Sequence, residues 1–166
     1  MEKIPTFNEM LEMVPAEILD ILEKSAETKQ SPSWHPEGDV LKHINIVYNR
    51  ARETGDLDLT IAALFHDLGK NAVTKPSRNT PGSWSAHGHE FISTRLVDKY
   101  QDFIESLGAD FDKVREVVNQ HMRIKQISEM KPQKRKALQD NPYYEDLCKF
   151  TDCDNMLTLK DEELDL

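Results

Sequence analysis

The stretch "AALFHDLGK", residues 62–70, sets an imidazole and a carboxylate side by side, His66 and Asp67, inside an apolar run. Burying such groups is costly unless a partner compensates. The chain holds six histidines (His35, His43, His66, His87, His89 and His121), and Asp152 and Asp154 follow near its C-terminal end. Imidazoles and carboxylates from several helices can converge in a bundle core. Mixed His/Asp ligation there suits Mn, Fe, Co, Ni or Zn better than Ca or Mg alone. A metal would turn His66 and Asp67 from a buried liability into paired ligands. The plain alternative is a core histidine held by a neighbouring aspartate, and spacing alone leaves the two readings balanced.

The elements that must position these residues read as helices. Pro15 occupies a first-turn position before "AEILDILEKSAE", where Ile18, Leu19 and Leu22 keep helical spacing. Gly38 or Asp39 opens "VLKHINIVYNRARE", with Val40, Ile44, Val47 and Ala51 on one face, His43 beside it and Gly55 at the end. Asp58 is the expected cap of "LTIAALFHDLG", which is apolar nearly all round and therefore reads as the central buried helix, carrying His66 and Asp67. Further helices are predicted at about 88–107, 112–121, 132–140 and 142–158. His89 opens one of them, His121 ends another, and Asp152 and Asp154 sit on the last. On that helix Leu147, Phe150, Asp154 and Leu157 share a stripe, so Asp154 is expected inside and Asp152 on the more polar side. Residues 71–86 read as a long loop, a candidate lid with Gly82 as hinge. Strand-like alternation is missing, which predicts an all-α compact helical bundle with a metal site in its core. One domain is expected over 1–166: an N-terminal helical segment (1–30), a core (34–158) and an acidic tail (159–166).

Composition narrows the partners. An apolar fraction of 38% beside 31% charged residues fits a soluble globular chain. The net charge of −9 argues against binding long nucleic acid, whereas one local cationic pocket would still admit a small anion. No apolar run approaches the roughly 20 residues of a membrane span. "MEKIPTFNEM" is acidic and interrupted by proline, unlike a signal or transit peptide. Cys148 and Cys153 lack CxxC spacing, so a reducing, cytoplasmic setting is expected.

Taken together, "HPEGDVLKHI" (35–44), "AALFHDLGK" and "HGHE" (87–90) resemble the HD-domain phosphohydrolases, most closely the HD domain appended to bacterial tRNA nucleotidyltransferases. The likeness covers about residues 34–125 and, more weakly, the last helix. It implies a helical bundle that holds a divalent metal through His43, His66, Asp67 and an Asp near 154. One or two ions per chain are expected, Mn, Fe, Co, Ni or Zn, with Mg as an alternative. His89 and His121 would either hold a second metal or hydrogen-bond a substrate phosphate; Met122 stands where some binuclear members have another ligand. The sequence lacks a nucleotidyltransferase catalytic domain and reads "DNML" where Gly-Arg often follows the final Asp, so CCA addition is not expected.

The implied activity is metal-dependent hydrolysis of a phosphomonoester or phosphodiester of a nucleotide or related small molecule. The rivals are a non-catalytic nucleotide sensor with the same pocket and a structural helical adaptor. Asp67 would bind metal and take a proton from its water, and Lys70 would contact the phosphate, with Arg78, Arg123 and Lys75 as further contacts. Glu37 is expected at the substrate or orienting a ligand. Trp34 and His35 would pack the entrance, and Trp84 would either close the loop over a base or serve packing alone.

Overall fold

The computed structural model of the chain describes residues 3–165, and helices dominate them. Two short helices come first, α1 (Phe7–Met13) and α2 (Ala16–Ser25). Thr6 and Glu9 form a reciprocal capping box at the start of α1. Pro15 lies just outside α2, at its cap, rather than in its first turn. Next are α3 (Val40–Glu53), α4 (Leu57–Phe65) and the single turn α5 (Lys70–Val73). A small antiparallel hairpin, β1 (Lys75–Pro76) with β2 (Trp84–Ser85), leads into α6 (His89–Lys99) and α7 (Gln101–Ser106). The chain continues through α8 (Phe111–Ile124), α9 (Pro132–Gln139) and α10 (Tyr144–Asp154).

The all-α expectation holds, and α4 is its hub. Every residue from Leu59 to Phe65 is buried, because α3 and α8 pack along it and α6 and α10 close the remaining sides. Each large apolar side chain buried this way contributes roughly 1.5–3 kcal/mol, so this helix anchors whatever is attached to its end.

Several boundaries differ from the sequence reading. Asp56 caps α4, accepting from Leu59 N at 3.1 Å. Asp58 falls in the first turn and accepts instead from Asp110 N at 2.8 Å. The helix also stops at Phe65. Residues 66–69 form a tight turn closed by Leu68 N to Phe65 O and Lys70 N to Asp67 O. His66 and Asp67 therefore stand on a corner, not inside the central helix. Gly69 permits that corner: a Cβ there would lie 2.3 Å from His89 O and 2.9 Å from Ile92 Cβ, and its N–H donates to Ser93 Oγ at 2.9 Å.

The predicted helix over 88–107 breaks at Tyr100 into α6 and α7. The last helix ends at Asp154, where Asn155 leaves helical geometry and caps a short 3₁₀ turn, Met156–Thr158. Leu157 consequently drops out of the buried stripe and is 66% exposed. Residues 71–86 are more ordered than a free loop, since Ser31 Oγ donates to Trp84 O and accepts from Trp84 N, both at 2.8 Å. The acidic tail is docked as well: Glu163 takes two hydrogen bonds from the Arg50 guanidinium, at 2.7 and 2.8 Å.

Candidate metal centre

Four histidines share one arrangement. His43 Nδ1–H donates to Glu37 Oε2 at 2.6 Å, and His66 Nδ1–H to Ala63 O at 2.7 Å. His89 donates likewise to Ala86 O (2.8 Å) and His121 to Val118 O (2.6 Å). A carbonyl or carboxylate oxygen can only accept, so each Nδ1 carries a proton and each Nε2 faces inward, offering a lone pair whenever that nitrogen is unprotonated. The rings follow one another in a row, His35, His43, His66, His121 and His89, with centroids 5.1, 5.3, 5.1 and 5.2 Å apart.

Asp67 divides its two oxygens along this row. Oδ2 lies 3.2 Å from both His43 Nε2 and His66 Nε2, while Oδ1 lies 3.0 Å from His89 Nε2 and 3.4 Å from His121 Nε2. Asp154 Oδ1 completes the first group at 2.8 Å from His43 Nε2 and 3.4 Å from His66 Nε2. The sequence-selected residues thus fall into two adjoining donor sets: His43, His66, Asp67 and Asp154, and then Asp67, His89 and His121, all buried. Ligand atoms about 2.1 Å from a common ion sit roughly 3.0–3.4 Å apart in octahedral or tetrahedral geometry. Most of the observed edges match that spacing. Unprotonated, these lone pairs would repel one another, so the donor set fits a divalent cation. The Asp67 carboxylate reaches both sets, one oxygen to each.

Titration reflects the same crowding. Burial works to lower the His43 pKa, but the hydrogen bonds its ring donates to Asp154, Asp67 and Glu37 prevail and raise it to about 10. His66 is also raised, by the Asp67 and Asp154 charges acting against burial. Burial pushes both Asp67 and Asp154 upward; His66 and Lys70 hold Asp67, and Lys125 and His66 hold Asp154, well below the usual carboxylate range. His121 differs: burial dominates and lowers it to about 4. Protons thus balance the first set when no cation does, whereas His121 itself stays neutral.

Around this centre opens a cleft of about 940 Å³. Lys70 reaches Asp67 Oδ2 at 3.2 Å and is steadied by Gln30 Oε1 at 2.7 Å. Arg123 and Met122 line the cleft, as do Trp34, His35 and Trp84. Arg78 and Lys75 do not: both are exposed on the hairpin, away from its walls. Glu37 does not line the cleft either. Its fully buried side chain accepts from His43 and, at 3.2 Å, from His35 Nδ1, so it fixes the orientation of the His43 ring. The hydrogen bonds from these two histidines outweigh burial and bring its pKa down to about 2.

Lys125 escaped the sequence reading. Its ammonium meets Asp154 Oδ2 at 2.6 Å and lines the cleft, its side chain 35% exposed. The signal was its spacing, four residues beyond His121 on the same helical face. Of the two acids weighed on α10, Asp154 is inside and Asp152 is exposed at the cleft edge.

A bundle whose His-Asp corner converges with histidines from neighbouring helices defines a class of all-α proteins with a buried His/Asp centre. The chain belongs to the HD domain family, whose match spans residues 39–157. That family indicates the metal-dependent phosphohydrolase superfamily. Among curated relatives, a "Multifunctional CCA protein" of Janthinobacterium sp. (strain Marseille) is 41% identical over 71 residues, 42% of this chain and 16% of the relative. Proteins of the same description from Vibrio campbellii and Vibrio cholerae serotype O1 are 34% identical over 106 residues and 30% over 119. Those matches cover 63% and 70% of this chain but 25% and 28% of the relatives. The chain therefore spans less than a third of the length of the relatives it matches. No helix among the described residues is long and apolar enough to cross a membrane.

Proposed function

We propose that this chain is a metal-dependent phosphoric ester hydrolase acting on a nucleotide or a related small phosphoester. The carrying observation is the inward convergence of four Nε2 atoms with Asp67 and Asp154, each imidazole fixed through its Nδ1. His43, His66, Asp67 and Asp154 would hold one divalent transition metal, and Asp67, His89 and His121 a second. Such an ion supplies Lewis acidity and a water of lowered pKa.

The protein's own groups do the rest. Asp67 holds the two donor sets together, and of the roles expected for it, anchoring is the one its lowered pKa supports. Lys70 lies beside that carboxylate at the cleft floor, where its charge would meet a phosphoryl oxygen. Glu37 keeps His43 in the tautomer that presents Nε2. Most of the centre is closed to water while Lys70 and Lys125 face the opening, so an anion enters against two cations even though the whole chain is acidic.

The test is elemental analysis combined with a screen of nucleotides and chromogenic phosphoesters, each divalent metal added in turn. One or two metal equivalents, chelator-sensitive turnover, and loss of both metal and turnover in Asp67→Ala are expected. Chelator-resistant turnover by metal-free protein refutes the reading. Tight nucleotide binding by loaded protein without turnover of any ester would make the chain a sensor instead.

A further inference from the structure

The described residues include five large apolar side chains left exposed: Met13, Trp34, Phe91, Leu157 and Leu164. Scattered singly, such residues need no explanation. Here Trp34, Phe91 and Leu157 all line the same cleft above the metal centre. Trp34 is 67% exposed and Phe91 60%, so neither contributes much to the core. Their placement along the imidazole row is informative. Trp34 precedes His35, the ring at one end, and Phe91 lies two residues beyond His89, the ring at the other. The two cleft lysines that touch the donor set, Lys70 and Lys125, act on Asp67 and Asp154 between those ends.

A ligand matching that order carries an anionic phosphate in its middle and a flat apolar group at each end. The cleft volume, about 940 Å³, stands near the top of the roughly 300–1,000 Å³ range of small-molecule sites. That is more room than a single small phosphoester fills. Aromatic side chains bind nucleobases by stacking, largely regardless of base identity. Resting on the hydrolase reading above, we infer that the preferred substrate is a phosphodiester with a nucleoside on both sides of the phosphate. One base packs on Trp34 and the other on Phe91.

The probes are adenylyl-(3′→5′)-adenosine, with two bases, and adenosine 5′-methyl phosphate, a diester of the same charge with one. Binding is measured by calorimetry on chelator-treated protein, in which the metal-dependent turnover is silent. The two-base probe should bind at least fivefold tighter. Trp34→Ala and Phe91→Ala should each erase that advantage, lowering two-base affinity about tenfold. Met13→Ala, exposed but away from the cleft, should leave both affinities as they were. Because both aromatic rings are mostly exposed, the variants should keep the parent's circular dichroism and melting temperature.

Equal affinities in the parent overturn the inference. So does a two-base advantage that survives both truncations, or no binding of either probe at millimolar concentration. The hydrolase reading fails separately: metal-loaded protein that turns over no phosphoester refutes it, whatever the two probes do in chelator.

Discussion

Metal uptake at the first donor set should expel protons. His43 is fully buried and its pKa is raised to about 10, so at pH 7 the metal-free protein holds that imidazole charged. A metal needs the lone pair of Nε2. Removing the proton at pH 7 spans about three pKa units, roughly 4 kcal/mol, or about a thousandfold in affinity. Apparent affinity for Mn or Zn should therefore rise about tenfold per pH unit between about 7 and 9, and more steeply where His66 also deprotonates. Stability of the metal-free protein should run the opposite way. The folded pKa of His43 lies above its ordinary 6.5, so its contribution is complete below about pH 6.5 and fades as pH climbs through 10. Asp67 and Asp154 are depressed, so their contribution is present above about 3.8 and lost in stronger acid. Calorimetry in HEPES and in Tris, whose ionisation heats differ, should report about one or more protons released per ion. Buffer-independent heats with a flat affinity from pH 6 to 8.5 would show that His43 is neutral before metal arrives, and would refute the reasoning.

Asp154→Asn should lower metal content and turnover together, while Asp152→Asn, exposed at the cleft edge, should retain full metal occupancy by elemental analysis. Gly69→Ala forces a methyl against His89 O and Ile92 Cβ, so a loss of about 1–3 kcal/mol by urea unfolding is expected; an unchanged midpoint would mean the corner can relax. Glu163→Gln breaks the contact with Arg50, whose hydrogen bond holds the Glu163 carboxyl low against burial. The cost should be about 1 kcal/mol or less at pH 7, shrinking as the pH falls below about 4.5 and the parent's own carboxylate becomes protonated.

The helical periodicity of the core was legible because apolar side chains at Val40, Ile44, Val47 and Ala51 share one face and are all buried. His43, His66 and Asp67 stood out because titratable groups in apolar surroundings demand a partner. The resemblance asked for an Asp near 154, and register chose Asp154 over Asp152: Leu147 and Phe150 are buried on its stripe. The HD corner was misread as helix because nothing local distinguishes "FHDLG" from a continuing turn. The break depends on Gly69 meeting α6, a contact 20 residues distant in the chain. Glu37 was ambiguous for a similar reason, since its partner His43 lies six residues away across a helix start. Arg78 and Lys75 were credited by charge, yet the hairpin that carries them points that charge outward, a matter of tertiary placement.

The first donor set joins residues 111 positions apart, His43 and Asp154. During synthesis the chain emerges N-terminal end first, at about 5–20 residues per second. His43, His66, Asp67, His89 and His121 are all made before Asp154, the residue that completes the first donor set. A nascent chain can thus bury much of α3 and α4 while its centre still lacks one of its two carboxylates. Any metal uptake at the first donor set would therefore follow the synthesis of α10, governed by which ions the compartment offers at that moment rather than by the packing of α3 and α4.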